Sequence, residues 1–324
     1  MAKISRRPDR GFVLLMVLVA IIVVGVALTT TARRSLQSTL IASESQQAIQ
    51  RRWGTFSCQK TLLPAASALF EVSDRSTRKQ QGKQVAFPSV FQDRIILGGQ
   101  TFDLLLADED AKANLNAVFD FGGLRACEQT MKQLVGAFEA RSVRLLPERT
   151  SQAKKTAKQS SAQESKLAQP SNSGEKLPTL VISPAFRSWG EVFDLVQVQR
   201  LAGDDRQLAK MTRQVSLFGT GRLNVFRATD ESVLAVCKSV VEDGLAKRVL
   251  SKIRDTSLGE VNLILELTIT NQEDRAKLQT LLSTSSSSYS LWIETTSKMS
   301  RQQRFVTQAP DGRGAIRTTE FSFE

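Results

Sequence analysis

Three successive carboxylates, Asp108-Glu109-Asp110, and three cysteines, Cys58, Cys127 and Cys237, are the side chains of this 324-residue sequence with the plainest capacity for chemistry. Adjacent carboxylates offer hard oxygen ligands of the kind Ca²⁺ takes, but the D-x-D-x-D-G spacing of a calcium loop is absent. Asp-Glu-Asp reads first as a solvated acidic turn, with a Ca²⁺ site formed by Asp108, Glu109 and Asp110 as the alternative. The cysteines are too few and too scattered for a disulfide framework or a zinc cluster. Three buried thiols, or one pair with a free third, fit their number. The sequence contains no histidine. That excludes a Ser-His-Asp triad, a Cys-His pair, His-ligated zinc and an imidazole pH switch. Neither a nucleophile–base spacing nor a Ser-Lys motif supports a hydrolase. The chain is expected not to be an enzyme and to need no cofactor beyond the Ca²⁺ alternative.

Composition agrees with an ordinary globular protein of two or three modest cores: 41% hydrophobic and 23% charged residues. The net charge of +12 is unevenly spread. Residues 1–11 carry Lys3, Arg6, Arg7 and Arg10 against Asp9. Residues 149–176 carry six Lys and Arg against Glu164 and Glu175, with Leu167 as the one aliphatic side chain larger than Ala. Such a tract cannot bury enough surface to offset the entropy of ordering it, so a disordered insertion is expected. Its basicity reads as loop charge and not as a nucleic-acid footprint.

The elements that must position the acidic turn begin at the membrane. Gly11 to Ala32 is a run of 22 residues without a charge, about 33 Å as a helix against a bilayer core of roughly 30 Å. The basic leader before it keeps that end in the cytoplasm and sends the remainder across. Beyond the membrane, Leu36, Leu40, Ile41, Ala48, Ile49, Trp53 and Phe56 recur at helical spacing. They predict a continuous helix from Phe12 to about Leu62, one stripe of which packs on a sheet. Pro64 is expected to stop or kink it, and Gly54 weakens it. Residues 73–84 read as a solvated loop, and Ile95-Ile96-Leu97 and Phe102 to Leu106 as strands.

The junction Arg10-Gly11-Phe12, a basic leader ending on Gly directly before the apolar run, resembles the class III signal of type IV pilins and pseudopilins. A cleavable secretory signal, for which Thr30-Thr31-Ala32 is a poor site, and a plain signal anchor are the competing readings. The resemblance implies that a prepilin peptidase cuts between Gly11 and Phe12, that Phe12 is N-methylated, and that the apolar helix is retained. Most members place Glu at the fifth mature position, where this sequence has Met16. A carboxylate inside a bilayer needs a partner. In the family that partner is the N-terminus of the subunit one step nearer the tip, which a tip subunit lacks. Met16 therefore fits a tip subunit, or an ordinary anchor. A second resemblance, to the type II secretion protein K family, rests on residues 107–116, Ala-Asp-Glu-Asp-Ala-Lys-Ala-Asn-Leu-Asn. That family ends a strand in an Asp-Glu turn before an Asn-Leu-Asn that opens a helical domain. Asn114 and Asn116 are helix-capping types with Leu115 between them as an apolar staple.

A weaker copy of the theme is Gly219-Thr220-Gly221-Arg222-Leu223-Asn224-Val225-Phe226-Arg227-Ala228. Here Phe226 stands where the family has a second Asn, and Arg227 where it has Thr. Ser188 to Glu191 and Ser257 to Glu260 read as capping boxes. A helix-hairpin-helix DNA binder is disfavoured, because Gly219 to Arg222 precedes a strand-like run instead of joining two helices. The last forty residues alternate at period two, with Pro310-Asp311-Gly312 as a turn, and read as antiparallel strands that rejoin the first sheet.

The expected fold is α+β and pilin-like: a long N-terminal transmembrane helix packed on an antiparallel sheet, with a large inserted all-helical domain. In chain order this gives a leader (1–11), a transmembrane helix (12–32) and the first segment of the pilin-like domain (33–113). The inserted helical domain (114–284, disordered over 149–176) and the second pilin-like segment (285–324) follow. The resemblance implies a structural minor pseudopilin at the tip of the type II secretion pseudopilus, in the inner membrane with its C-terminal domain periplasmic. Implied partners are minor pseudopilins I and J, the major pseudopilin, prepilin peptidase and the inner membrane, and no nucleic acid. A type IV pilus minor pilin, or a single-pass anchored adhesin or DNA-binding surface protein, is the alternative.

Overall fold

The structure, a computed structural model, describes residues 10–81, 87–136, 139–148, 184–202, 207–255, 261–296, 301–310 and 315–323. Residues 1–9 of the leader, the 149–176 tract, the second capping box (Ser257 to Glu260) and Asp311 and Gly312 of the expected turn therefore lie outside the described residues.

One helix, α1 (Arg10–Gln81), carries the chain from the apolar run to the sheet. At 72 residues it is about 108 Å long. It overruns the expected end near Leu62 and absorbs the region read as a loop up to Gln81. Pro64 lies inside it on the exposed side. Lys60, whose carbonyl Pro64 leaves without its helical donor, is exposed, while Leu63, Ala66 and Phe70 are buried against the sheet and hold both halves in line.

The stripe that meets the sheet is also not the one the periodicity picked out. Leu36, Leu40, Ile41, Ile49, Trp53 and Phe56 are exposed, Trp53 to 66%. The buried set is Gly54, Thr55, Cys58, Leu63, Ala66 and Phe70. Small residues line it because the helix lies close to the strands.

Two hairpin strands follow, β1 (Val90–Leu97) and β2 (Gln100–Asp108). A short 3₁₀ turn over Glu109–Ala111 leads to β3 (Ala113–Asn114) and α2 (Leu115–Leu134). Gly123, at φ 70°, breaks α2 into two segments. Next come α3 (Trp189–Val192), α4 (Leu195–Ala202), α5 (Gln207–Met211), β4 (Val215–Ser216) and β5 (Leu223–Asn224). Then follow α6 (Asp230–Lys238), α7 (Asp243–Asp255), α8 (Val261–Thr268), α9 (Gln272–Leu281) and β6 (Leu282–Ser283). The chain closes with β7 (Tyr289–Thr296), β8 (Arg301–Pro310) and β9 (Ile316–Phe323).

The sheet is antiparallel throughout, in the order β1-β2-β7-β8-β9, so the C-terminal strands rejoin the first hairpin. The segment between β2 and β7 is an insertion whose described residues form mostly helices, with two parallel two-residue pairs, β3–β4 and β5–β6, and an isolated bridge between Val143 and Phe193. This is the α+β, pilin-like arrangement expected. Period-two alternation gives the sheet two apolar faces. Phe102, Leu104, Leu106, Leu291, Ile293 and Val306 bury against α1. On the other face the rung Leu105–Trp292–Phe305–Phe321 packs against Phe218 and the insertion.

Local sequence settles several helix starts and misleads at others. Asn114 caps α2, its side chain accepting from the Ala117 N–H. Asn116 caps nothing. Its amide donates to the Phe186 and Leu217 carbonyls and its oxygen accepts from the Phe186 N–H, pinning distant loops to α2. The Ser188 box is not formed, since Ser188 makes no capping bond and α3 ends after one turn. Asp194 caps α4 instead, through the Val196 and Gln197 N–H groups.

Candidate functional site

Asp108, Glu109 and Asp110 are buried, not solvated, which corrects the plainer reading of the sequence. The turn sits where β2 ends and the insertion begins, and each carboxylate holds a different piece of chain. Asp108 Oδ1 accepts from the Asp110 N–H at 3.0 Å. Its Oδ2 accepts from Arg227 Nη1 at 3.0 Å and Ser286 Oγ at 2.5 Å. Glu109 Oε1 pairs with Lys112 Nζ at 2.5 Å and accepts from Ser290, while Oε2 accepts from Ser216. Asp110 Oδ1 accepts from the Thr220 N–H and hydroxyl at 3.2 and 3.0 Å. Its Oδ2 accepts from the Ser287 and Ser288 N–H groups at 2.8 and 3.1 Å.

The three side chains thus clamp the outgoing connection, the interior of the insertion (Ser216, Thr220, Arg227) and the returning serine run before β7. Glycine makes one arm of this clamp. Gly219 and Gly221 have φ of 97° and 78°, which bends the loop around Asp110, and a Cβ on Gly219 would lie 2.9 Å from Asp110 Oδ1. The two stretches that carry the protein K resemblance, 107–116 and 219–228, therefore meet in space.

As a cation site the triplet does not fit. All six carboxylate oxygens accept hydrogen bonds from N–H, O–H, guanidinium or ammonium donors, so a metal would have to displace them. Among the described residues no group of three or more His, Cys, Asp or Glu side chains is placed to hold a metal.

Burial raises Asp108 to about 6, against the pull of Ser286 and Arg227, with Asp110 adding to the rise. Burial also raises Asp110, opposed by the donors around it. Arg227 is lowered by burial, but Asp74 and Asp108 outweigh that and leave it above its usual value. A folded pKa above the unfolded value of about 3.9 means the native state holds its proton longer. The stability this contributes is complete below pH 4 and is lost as pH rises through 6. The exposed carboxylates Asp243 and Glu273, lowered by their lysine partners, titrate below this window. Between pH 5 and pH 7.5 the denaturant midpoint of the detergent-solubilised chain is expected to fall, and the fall to shrink in Asp108→Asn. An equal fall in both proteins refutes the assignment.

The remaining residues singled out from sequence lie elsewhere. Gly11 and Phe12 are in the first turn of α1, and Met16 follows on its exposed apolar surface. From Met16 to Asp74 along the helix is about 87 Å, so the processing junction and the acidic clamp are separate places. Cys58, Cys127 and Cys237 are unpaired and buried. Burial pushes the Cys127 and Cys237 thiols up to about 12 and raises Cys58, which favours the thiol over the nucleophilic thiolate.

Sequence reasoning passed over Lys112, Arg227, Asp74 and the serines. Two signals were there: a lone Lys beside three acids, and an Arg in place of the Thr that the resemblance leads one to expect.

No protein-family model matches this chain, and no curated protein does. Among solved structures it is similar to a chain of the GspK-GspI-GspJ complex from the enterotoxigenic Escherichia coli Type 2 Secretion System. The identity is 14%, with 87% of this chain and 99% of that chain covered, at a TM-score of 0.41.

Proposed function

We propose that this chain is a minor pseudopilin of the type II secretion protein K class, anchored in the inner membrane with its sheet and insertion in the periplasm. The observation that carries the reading is the unbroken helix α1. Its first third is apolar and bare of packing from Leu14 to Leu28, while one stripe of its later turns, Cys58, Leu63, Ala66 and Phe70, is buried against the sheet. Length and hydropathy suit that first third to crossing a membrane. The junction at Gly11 and Phe12 supports prepilin-type processing and N-methylation of Phe12. Met16 supports a place at the tip, where no neighbour above offers an ammonium to a carboxylate. The insertion fills one face of the sheet, a bulk that suits an unoccupied tip better than a packed shaft. Minor pseudopilins I and J beside it and the major pseudopilin beneath are the partners this reading requires. In this reading the protein works by assembly, initiating or capping the filament, and performs no reaction.

The test is the mature N-terminus. Coexpressed with a prepilin peptidase, the chain is expected to lose residues 1–11 and to begin with N-methyl-Phe12 by mass spectrometry. Gly11→Val is expected to retain the leader. Retained Met1 in the unmutated chain returns the segment to a plain anchor, and unchanged processing of Gly11→Val rejects the junction.

A further inference from the structure

Among the described residues, the apolar surfaces of α1 and of the insertion do not meet. α1 buries its stripe on one face of the sheet, and the insertion buries its core on the other, as two separate clusters. Elements in separate cores are free to open separately unless something directional ties them.

Arg227 is placed to be that tie. Its backbone belongs to the insertion, just past β5, and is held firmly there. Arg254 of α7 donates to the Val225 carbonyl at 2.7 Å and to the Ala228 carbonyl at 2.9 Å, on either side of it. Its side chain leaves the insertion. Nη2 reaches Asp74 Oδ2 on α1 at 2.6 Å, Nη1 reaches Asp108 Oδ2 at the end of β2 at 3.0 Å, and the guanidinium lies 4.8 Å from the Phe70 ring centre. Phe70 in turn stacks on Tyr289 of β7, with ring centres 5.5 Å apart. One planar cation therefore joins α1, the end of β2 and the insertion, and through Phe70 it reaches β7. The second oxygen of Asp74 is buried without a hydrogen-bond partner, and its first is held by this guanidinium.

We infer that Arg227 is a positioning residue that couples the membrane-distal turns of α1 to the seat of the insertion, so that the two open together. The coupling is independent of whether the chain enters a filament. Hydrogen exchange of the full chain in detergent micelles, read by mass spectrometry, tests it with Arg227→Met, Asp74→Ala and the double variant. In Arg227→Met the amides of residues 66–77 and those of residues 108–114 and 283–290 are expected to exchange about ten-fold faster together, while those inside α7 keep their rates. Asp74→Ala is expected to speed the insertion's connections from the α1 side, and the double variant to be no faster than Arg227→Met. Unchanged exchange over 66–77 in Arg227→Met, or single effects that multiply in the double variant, overturns the inference. Should Arg227→Met lose protection in α7 as well, Asp74→Ala decides: faster exchange over 108–114 and 283–290 supports the coupling, and unmutated rates there reject it.

Discussion

Lys112→Met is expected to remove about 3–5 kcal/mol of stability, the cost of leaving one partner of a buried ion pair uncompensated. Lys112 and Glu109 are 4% and 0% exposed and 2.5 Å apart, so no water can take over the role of the ammonium. A domain of ordinary stability has only about 5–15 kcal/mol in all. The loss therefore shows as a large drop in denaturant midpoint and in yield of folded chain. The pair is not simply a source of stability, because dehydrating both ions costs about what their attraction returns. Replacing both, as Glu109→Gln with Lys112→Met, is therefore expected to restore most of the loss. The amide can still exchange hydrogen bonds with the Ser216 and Ser290 hydroxyls that face Glu109. A single Lys112→Met variant within about 1 kcal/mol of the unmutated chain would show that the site admits water.

Gly54→Val is expected to cost about 2–3 kcal/mol and Gly54→Ala somewhat less, although either exchange raises helix propensity on an exposed helix. The reason is contact. A Cβ at position 54 would lie 2.2 Å from Cζ of Phe102 and under 3 Å from its two Cε atoms, and Phe102 is fully buried. The ring has little room to swing aside, because it is fully buried in the same apolar cluster as Leu104 and Ile293. Adding Phe102→Leu to Gly54→Ala, which shortens the obstructing side chain, is expected to recover some of the loss. Thermal unfolding of the detergent-solubilised chain measures both. A stabilised Gly54→Ala, the outcome propensity alone forecasts, would mean that α1 does not approach β2 so closely.

By sequence Gly54 is a weak point in a helix, and the structure makes it a point of close approach to Phe102. The difference is physical. Helix propensity is a property of one residue, whereas close approach depends on a strand some fifty residues away. The same gap explains the mistaken stripe. Leu36 to Phe56 has the periodicity of a packed face, but the sheet is short and sits against the later turns of α1, where small residues do the packing. Pro64 misled for a related reason, since its lost hydrogen bond is harmless on the solvent side of a helix whose other side is held.

What the sequence by itself determined are the features set by neighbours in the chain. These are the 22-residue apolar run, the strand runs before the insertion and the alternating strands after it, and the Asn114 cap at the start of α2. Each follows from local spacing and one-residue chemistry. The tertiary structure alone decided the state of the acidic turn. Asp108 meets Arg227 119 residues later and Ser286 178 residues later, and Asp110 meets Thr220 110 residues later. No periodicity spans those separations. Whether three adjacent carboxylates face water, a cation or a ring of donors depends on what the fold brings to them. Here it brings Arg227, Lys112, the Gly219 loop and the serine run, and the expected solvated turn becomes the buried clamp of the insertion.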